Sequence, residues 1–166
     1  PPYYNFAEDE GAGENYYELG LQNSRGFRAL KVWLSLRHAG RAGYAQMIGD
    51  DIRLAQQLHA AAEAHPLLEA HTCNLSICTL RFVPADLAAN TTEQQSYLNI
   101  LNQALLLELQ QSGKAFLSNA IINDNYLLRA CVVNFRTTAA VMAQVPELIV
   151  AIGQRLDAEM RAAGGQ

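Results

Sequence analysis

Apolar residues recur along the chain with two different periods, and the changes of period mark out its elements. Residues 1–22 show no sustained periodicity. An apolar stripe through Phe27, Leu30, Leu34 and His38 then has helical spacing, with Ser24 placed to cap its start. Gly40 stops or bends this helix. A second helix is predicted over residues 41–64, with Ile48, Ile52, Ala55 and Leu58 on one face and Pro66 at its end. Two extended segments follow, at 67–71 and 75–83, the latter closed by Pro84. Asn90, Thr91 and Thr92 begin another helix, and Gln94 or Gln95 stands where a capping box needs it. Its buried line is Leu98, Leu101, Leu105 and Leu109, and Gly113 closes it. Strands at 115–122 and 126–133 come next, joined by the polar turn Asn123-Asp124-Asn125. Thr137 or Thr138 caps a last helical region, in which Pro146 is expected to begin a new helix at its first turn. Leu148, Ile152, Leu156 and Met160 form the buried line of that helix, and the tail from Ala162 to Gln166 should fray.

This order of elements predicts an α+β fold, an antiparallel sheet with helices packed on one face. The chain is expected to divide into a front loop over 1–22, a helix over 23–40 and a domain over 41–166.

Composition narrows the function classes. Half of the 166 residues are apolar, enough for one domain with a core. The net charge of −4 supplies neither a basic footprint for nucleic acid nor a polybasic anchor for a membrane surface. No apolar run approaches the roughly 18–20 residues of a spanning helix. The cysteines, Cys73, Cys78 and Cys131, are odd in number and lack CxxC spacing, so each is expected as a small buried hydrophobe in a reducing compartment. Phosphate-cradling glycine loops, HExxH and GxSxG are absent, and the four histidines have no metal-ligand spacing.

Three segments carry more information. They are Ser24-Arg25-Gly26-Phe27-Arg28-Ala29-Leu30-Lys31-Val32-Trp33, then Leu80-Arg81-Phe82-Val83-Pro84, then Leu128-Arg129-Ala130-Cys131-Val132-Val133-Asn134-Phe135-Arg136-Thr137-Thr138. In this order and spacing the chain resembles the C-terminal third of the group II pyridoxal-dependent amino-acid decarboxylases, over nearly its whole length. The first segment is most similar to the aromatic-amino-acid branch. Two positions depart from the family pattern: Gly26 stands where a second arginine is usual, and the region of Val141 lacks an acidic residue.

The resemblance implies the small C-terminal domain of a fold-type I enzyme, preceded by a loop and a helix of its large domain. It implies a cytoplasmic homodimer that uses pyridoxal 5'-phosphate to decarboxylate an amino acid. The family lysine that holds the cofactor follows a histidine, and neither Lys31 nor Lys114 has that context. It is therefore expected upstream of Pro1, and this chain alone is expected to be inactive. The resemblance places Tyr3, with Tyr4 beside it as the alternative, on a mobile loop that delivers a proton in the partner subunit's active site. It brings Asn23 and Ser24 near the cofactor phosphate. Arg25 and Arg28 are expected to pair with the large domain, and Arg129, on an apolar strand, to need a partner. No metal is implied. The chain opens Pro1-Pro2-Tyr3-Tyr4 and continues through an acidic, glycine-containing stretch, which reads as a fragment that begins inside a loop. The competing expectations are the C-terminal domain of another fold-type I enzyme, such as an aminotransferase, and a stand-alone βαββα ligand-binding module.

Overall fold

The computed structural model describes residues 21, 24, 26–87 and 91–164. Its elements are α1 (Ala29–Ala64), β1 (Leu68–Asn74), β2 (Ile77–Phe82), α2 (Thr92–Gln111), β3 (Ser118–Ile122), β4 (Asn125–Cys131) and α3 (Ala139–Gly164). The four strands form one antiparallel sheet in the order β1-β2-β4-β3. The α+β architecture expected from the pattern is therefore present.

The chain divides into two units, Pro1–Gly40 and Arg41–Gln166, and α1 is interrupted at the division. Gly40 has φ 64° and ψ 178°, a region that a Cβ makes inaccessible to other residues. A Cβ there would have open space around it, so backbone conformation, and not crowding, demands the glycine. In the first unit the helix begins at Ala29, five residues beyond Ser24. Ser24 therefore does not cap it, contrary to the sequence expectation. The apolar residues at the start of this helix are open, with Trp33 56% and, just before the helix, Phe27 72% exposed.

In the second unit, Cys78, Leu80 and Phe82 of β2 alternate onto the same sheet face as Leu128 and Ala130 of β4. They share one core with Leu101, Leu105 and Leu109 of α2 and with Val145, Ile149 and Ile152 of α3. From α1 only Ala55, Leu58 and Ala62 are buried. The buried face of this helix is shorter than its spacing predicts, because Ile48 is 54% exposed.

Both hairpins close on two-residue loops. Asn123 and Asp124 have φ 50° and 62°, and Asn125 pairs with Ile122, so the turn is one residue shorter than expected. This is the type I′ geometry that matches strand twist, and short polar side chains tolerate it. The first hairpin departs further from expectation. β1 runs on to Asn74, and the turn falls at Leu75 and Ser76, inside the segment read as a second strand. Leu75, at φ 50°, is a poor turn former, and its chemistry hid the turn. A bulge between Ala70 and Thr72 leaves His71 without a residue opposite it on β2.

Thr91 caps α2 by accepting the Gln94 N–H at 3.2 Å. All four leucines of the expected line are fully buried. Thr138 caps α3, accepting the Val141 N–H on its hydroxyl and the Met142 N–H on its carbonyl. Pro146 does not start a new helix: α3 passes through it unbroken. One backbone bond is lost there, but Met142 and Val145 before it and Ile149 and Val150 after it are buried in the same core, which holds both halves in line.

Candidate functional site

Of the residues singled out as a site, Tyr3, Tyr4 and Asn23 lie outside the described residues, as does Arg25. Ser24 is described; it is exposed and outside regular structure. Because α1 starts at Ala29, the described geometry does not put Ser24 at a helix N-terminus. Arg28 is exposed in the turn that opens α1. Arg129 finds the partner its strand position calls for, donating from Nη1 to Ser118 Oγ at 3.3 Å across β3 and β4. Arg136 lies over the Phe135 ring, 5.3 Å from its centroid.

The cysteines divide. Cys78 is fully buried, and burial first, then Cys73, pushes its thiol up to about 12. Cys73 is half-buried, with its thiol raised by burial and by Glu63. Cys131 is exposed, a correction to the expectation of three buried thiols. The register puts it opposite Ile77, off the core face that Cys78 shares with Ala130.

A polar cluster that the sequence reading did not single out lies at the end of β2. Arg81 is only 2% exposed. It sits directly opposite Glu69 of β1 and grips Glu69 Oε2 through Nε and Nη2, each at 2.7 Å. Its Nη1 donates to Asn125 Oδ1 at 2.8 Å and to Gln95 Oε1 at 3.2 Å. One guanidinium thus joins β1, β2, α2 and the first residue of β4, and its buried charge is both paired and hydrogen-bonded. The bulged His71 brings Nε2 to 2.9 Å from Glu69 Oε1. Burial lowers the imidazole pKa more than Glu69 raises it, and Arg81 lowers it further. Glu69, Arg81, Gln95 and Asn125 line an open polar cleft of about 720 Å³ with Thr91, Asn99 and Asp124. With its donors committed to protein acceptors, Arg81 acts as a brace. The visible signal was a lone arginine between Leu80 and Phe82; its partner became identifiable only once the hairpin register was known.

Lys31 and Lys114 are both exposed. Of the residues expected near the cofactor phosphate, Ser24 is the one among the described residues, and it is exposed. Among the described residues, no group of His, Cys, Asp and Glu is placed to hold a metal ion, and no helix is long and apolar enough to cross a membrane.

Residues 1–80 match the family model described as the pyridoxal-dependent decarboxylase conserved domain. The chain is 35% identical over 158 residues to an aromatic-L-amino-acid decarboxylase of Bacillus atrophaeus, a match that covers 94% of this chain and 32% of that protein. It is 30% identical to a phenylacetaldehyde synthase of a Rosa hybrid cultivar, covering 77% of this chain and 26% of that one. Among solved structures, the tryptophan decarboxylase of Catharanthus roseus in complex with L-tryptophan superimposes with a TM-score of 0.67 at 25% identity, over 81% of this chain and 27% of that one. The chain therefore spans about a third or less of the length of the curated relatives it matches.

Proposed function

Because the chain belongs to the pyridoxal-dependent decarboxylase family, we propose that it is the C-terminal part of an enzyme that removes CO2 from an aromatic L-amino acid. The observation that carries this reading is the match to an aromatic-amino-acid decarboxylase at 35% identity across 94% of the chain. In this reading residues 1–22 supply the catalytic loop, 23–40 the helix joining the large domain, and 41–166 the small C-terminal domain. The open apolar surface formed by Phe27 and, in α1, Trp33 supports a larger body that covers it. That body is the N-terminal domain of the same enzyme, which carries the cofactor lysine, and the working unit is a cytoplasmic homodimer.

Pyridoxal phosphate, when bound, supplies the electron sink for the pair left at the substrate Cα by loss of CO2. The residues of this chain orient and protonate. Asn23 and Ser24 would donate to the cofactor phosphate. The Tyr3 phenol, with an ordinary pKa of about 10, keeps its proton at neutral pH and delivers it to Cα while the loop excludes water. Tyr4 is the neighbouring candidate for the same step.

The test is product analysis of the full-length enzyme with tryptophan, tyrosine, phenylalanine and glutamate as substrates. Release of CO2 and the matching amine from an aromatic substrate is expected, and failure to release CO2 from any aromatic substrate overturns the reading. A Tyr3→Phe variant should lose amine production while retaining bound cofactor. Undiminished amine turnover removes Tyr3 from the mechanism. Because one relative is a phenylacetaldehyde synthase, aldehyde is measured beside amine, and aldehyde as the main product of the unaltered enzyme would shift the assignment to that activity.

A further inference from the structure

Cys73 and Cys78 lie directly opposite each other on β1 and β2, and both are free thiols. The register fixes the kind of pair they make. Asn74 and Ile77 flank the two-residue loop of this hairpin, and residues in that position exchange backbone hydrogen bonds. Antiparallel pairs alternate, so Cys73 and Cys78 form the next, non-hydrogen-bonded pair. At such pairs the Cα atoms approach to about 4.5 Å, where facing side chains come closest. A disulfide spans Cα separations of about 4.4–6.8 Å. Both side chains belong to the core face: Cys78 is part of the core, and Cys73 packs against it. Cys131 lies opposite Ile77 and so points to the other face, out of reach of this pair.

We propose that Cys73 and Cys78 are a reversible modification site that closes to an intrachain disulfide across the β1–β2 hairpin when a low-molecular-weight disulfide such as glutathione disulfide is present. Cys73, the more open of the two, gives up its proton to solvent, and its sulfur attacks one sulfur of the oxidant. One glutathione thiolate leaves, and a mixed disulfide remains on Cys73. Cys78 then loses its proton and displaces the second glutathione from the Cys73 sulfur. Two protein thiols are oxidised, and one glutathione disulfide is reduced to two thiols. Burial raises both protein thiols above their usual range, so closure is slow at neutral pH and quickens as the solution becomes more alkaline. The bond would pin a turn whose first residue, Leu75, sits at φ 50°.

The experiment treats the protein with glutathione disulfide at several pH values, then alkylates it under denaturing conditions and measures intact mass and cysteine-containing peptides. The expected product has lost two hydrogens, contains a peptide linking Cys73 to Cys78, and reverts with a phosphine reductant. Its formation speeds up with pH, survives Cys131→Ser, and is abolished by Cys73→Ser or Cys78→Ser. Glutathione that stays attached to Cys73 without loss of two hydrogens overturns the proposal. So does modification of Cys131 while Cys73 and Cys78 both remain open to alkylation. The unsubstituted protein supplies these decisive readouts, so a variant that folds poorly does not protect the idea.

Discussion

Asn102 and Phe82 are bonded in both directions: the Phe82 N–H donates to Asn102 Oδ1 at 2.8 Å, and Asn102 Nδ2 donates to the Phe82 carbonyl at 2.9 Å. The pairing of β2 with β4 ends where Leu80 faces Leu128, and a helix side chain takes over the role of the strand. One turn earlier, Asn99 does the same for β4 by accepting the Tyr126 N–H at 2.8 Å. Asn102 is fully buried, so water cannot substitute for it. Asn102→Ala is expected to destabilise the protein by about 2–6 kcal/mol, since two buried backbone groups lose their partner at roughly 1–3 kcal/mol each. Asn102→Leu restores volume but no hydrogen bond and should recover little. Urea unfolding of both variants checks this, and an Asn102→Leu protein as stable as the parent would sink the account.

Phe82 meets a second requirement on its ring. A Cβ built on Gly153 of α3 would lie 2.5 Å from Phe82 Cγ and 2.6 Å from Cδ1, far inside contact distance. The missing side chain is what lets α3 settle on the ring. Gly153→Ala should therefore cost about 1–3 kcal/mol despite alanine's better helix propensity. Combining it with Phe82→Leu should cost less than the sum of the two single changes, because the smaller side chain relieves the overlap. Additive losses would place the cost of Gly153→Ala elsewhere.

The sequence pattern was most legible where one period repeats against one core. Leu98, Leu101, Leu105 and Leu109, the expected line of α2, are all fully buried, and the Asn123-Asp124 turn announces itself through residues that tolerate positive φ. It was least legible where tertiary contacts override local chemistry. Leu75 turns the chain although leucine disfavours φ near 50°, and that shift hid both the Glu69–Arg81 pair and the Cys73–Cys78 pair, since each depends on the register it sets. Pro146 sits inside α3 because packing on both sides outweighs one missing bond. Of the candidate site, Ser24 alone lies among the described residues. Its expected place at a helix start rested on capping preference, and the helix begins later, at Ala29.

Arg81 and Glu69 differ sharply in burial, and this sets an order of effects. The Arg81 side chain is 3% exposed and that of Glu69 42%. Removing the carboxylate leaves a cation buried with only neutral acceptors at Gln95 and Asn125. Removing the cation leaves a carboxylate that water reaches. Glu69→Ala should therefore destabilise more than Arg81→Met, by up to about 3–5 kcal/mol against a smaller loss, because a buried charge without its partner is the costly state. Thermal or urea unfolding of the two variants side by side decides it. The reverse order would mean that Arg81 contributes chiefly through the neutral bonds it makes to α2 and β4.

His71 makes part of the stability depend on pH. Burial holds its imidazole below the ordinary value of 6.5, with Glu69 opposing the shift and Arg81 adding to it. In the unfolded chain the ring takes up a proton as pH falls past about 6.5, whereas the folded protein resists until a lower pH. The unfolded state therefore binds more protons in that interval, and linkage makes stability fall with pH across it. The loss stops growing once pH drops below the lowered native value. His71→Gln should flatten this decline as pH falls below the ordinary imidazole value of 6.5, relative to the parent and whatever the other histidines contribute to both proteins. Glu69→Gln should steepen it, because the opposing charge is gone. An NMR titration of the His71 ring tests the premise directly: a midpoint at 6.5 would remove the effect, and one above 6.5 would show that Glu69 outweighs burial and reverse its sign.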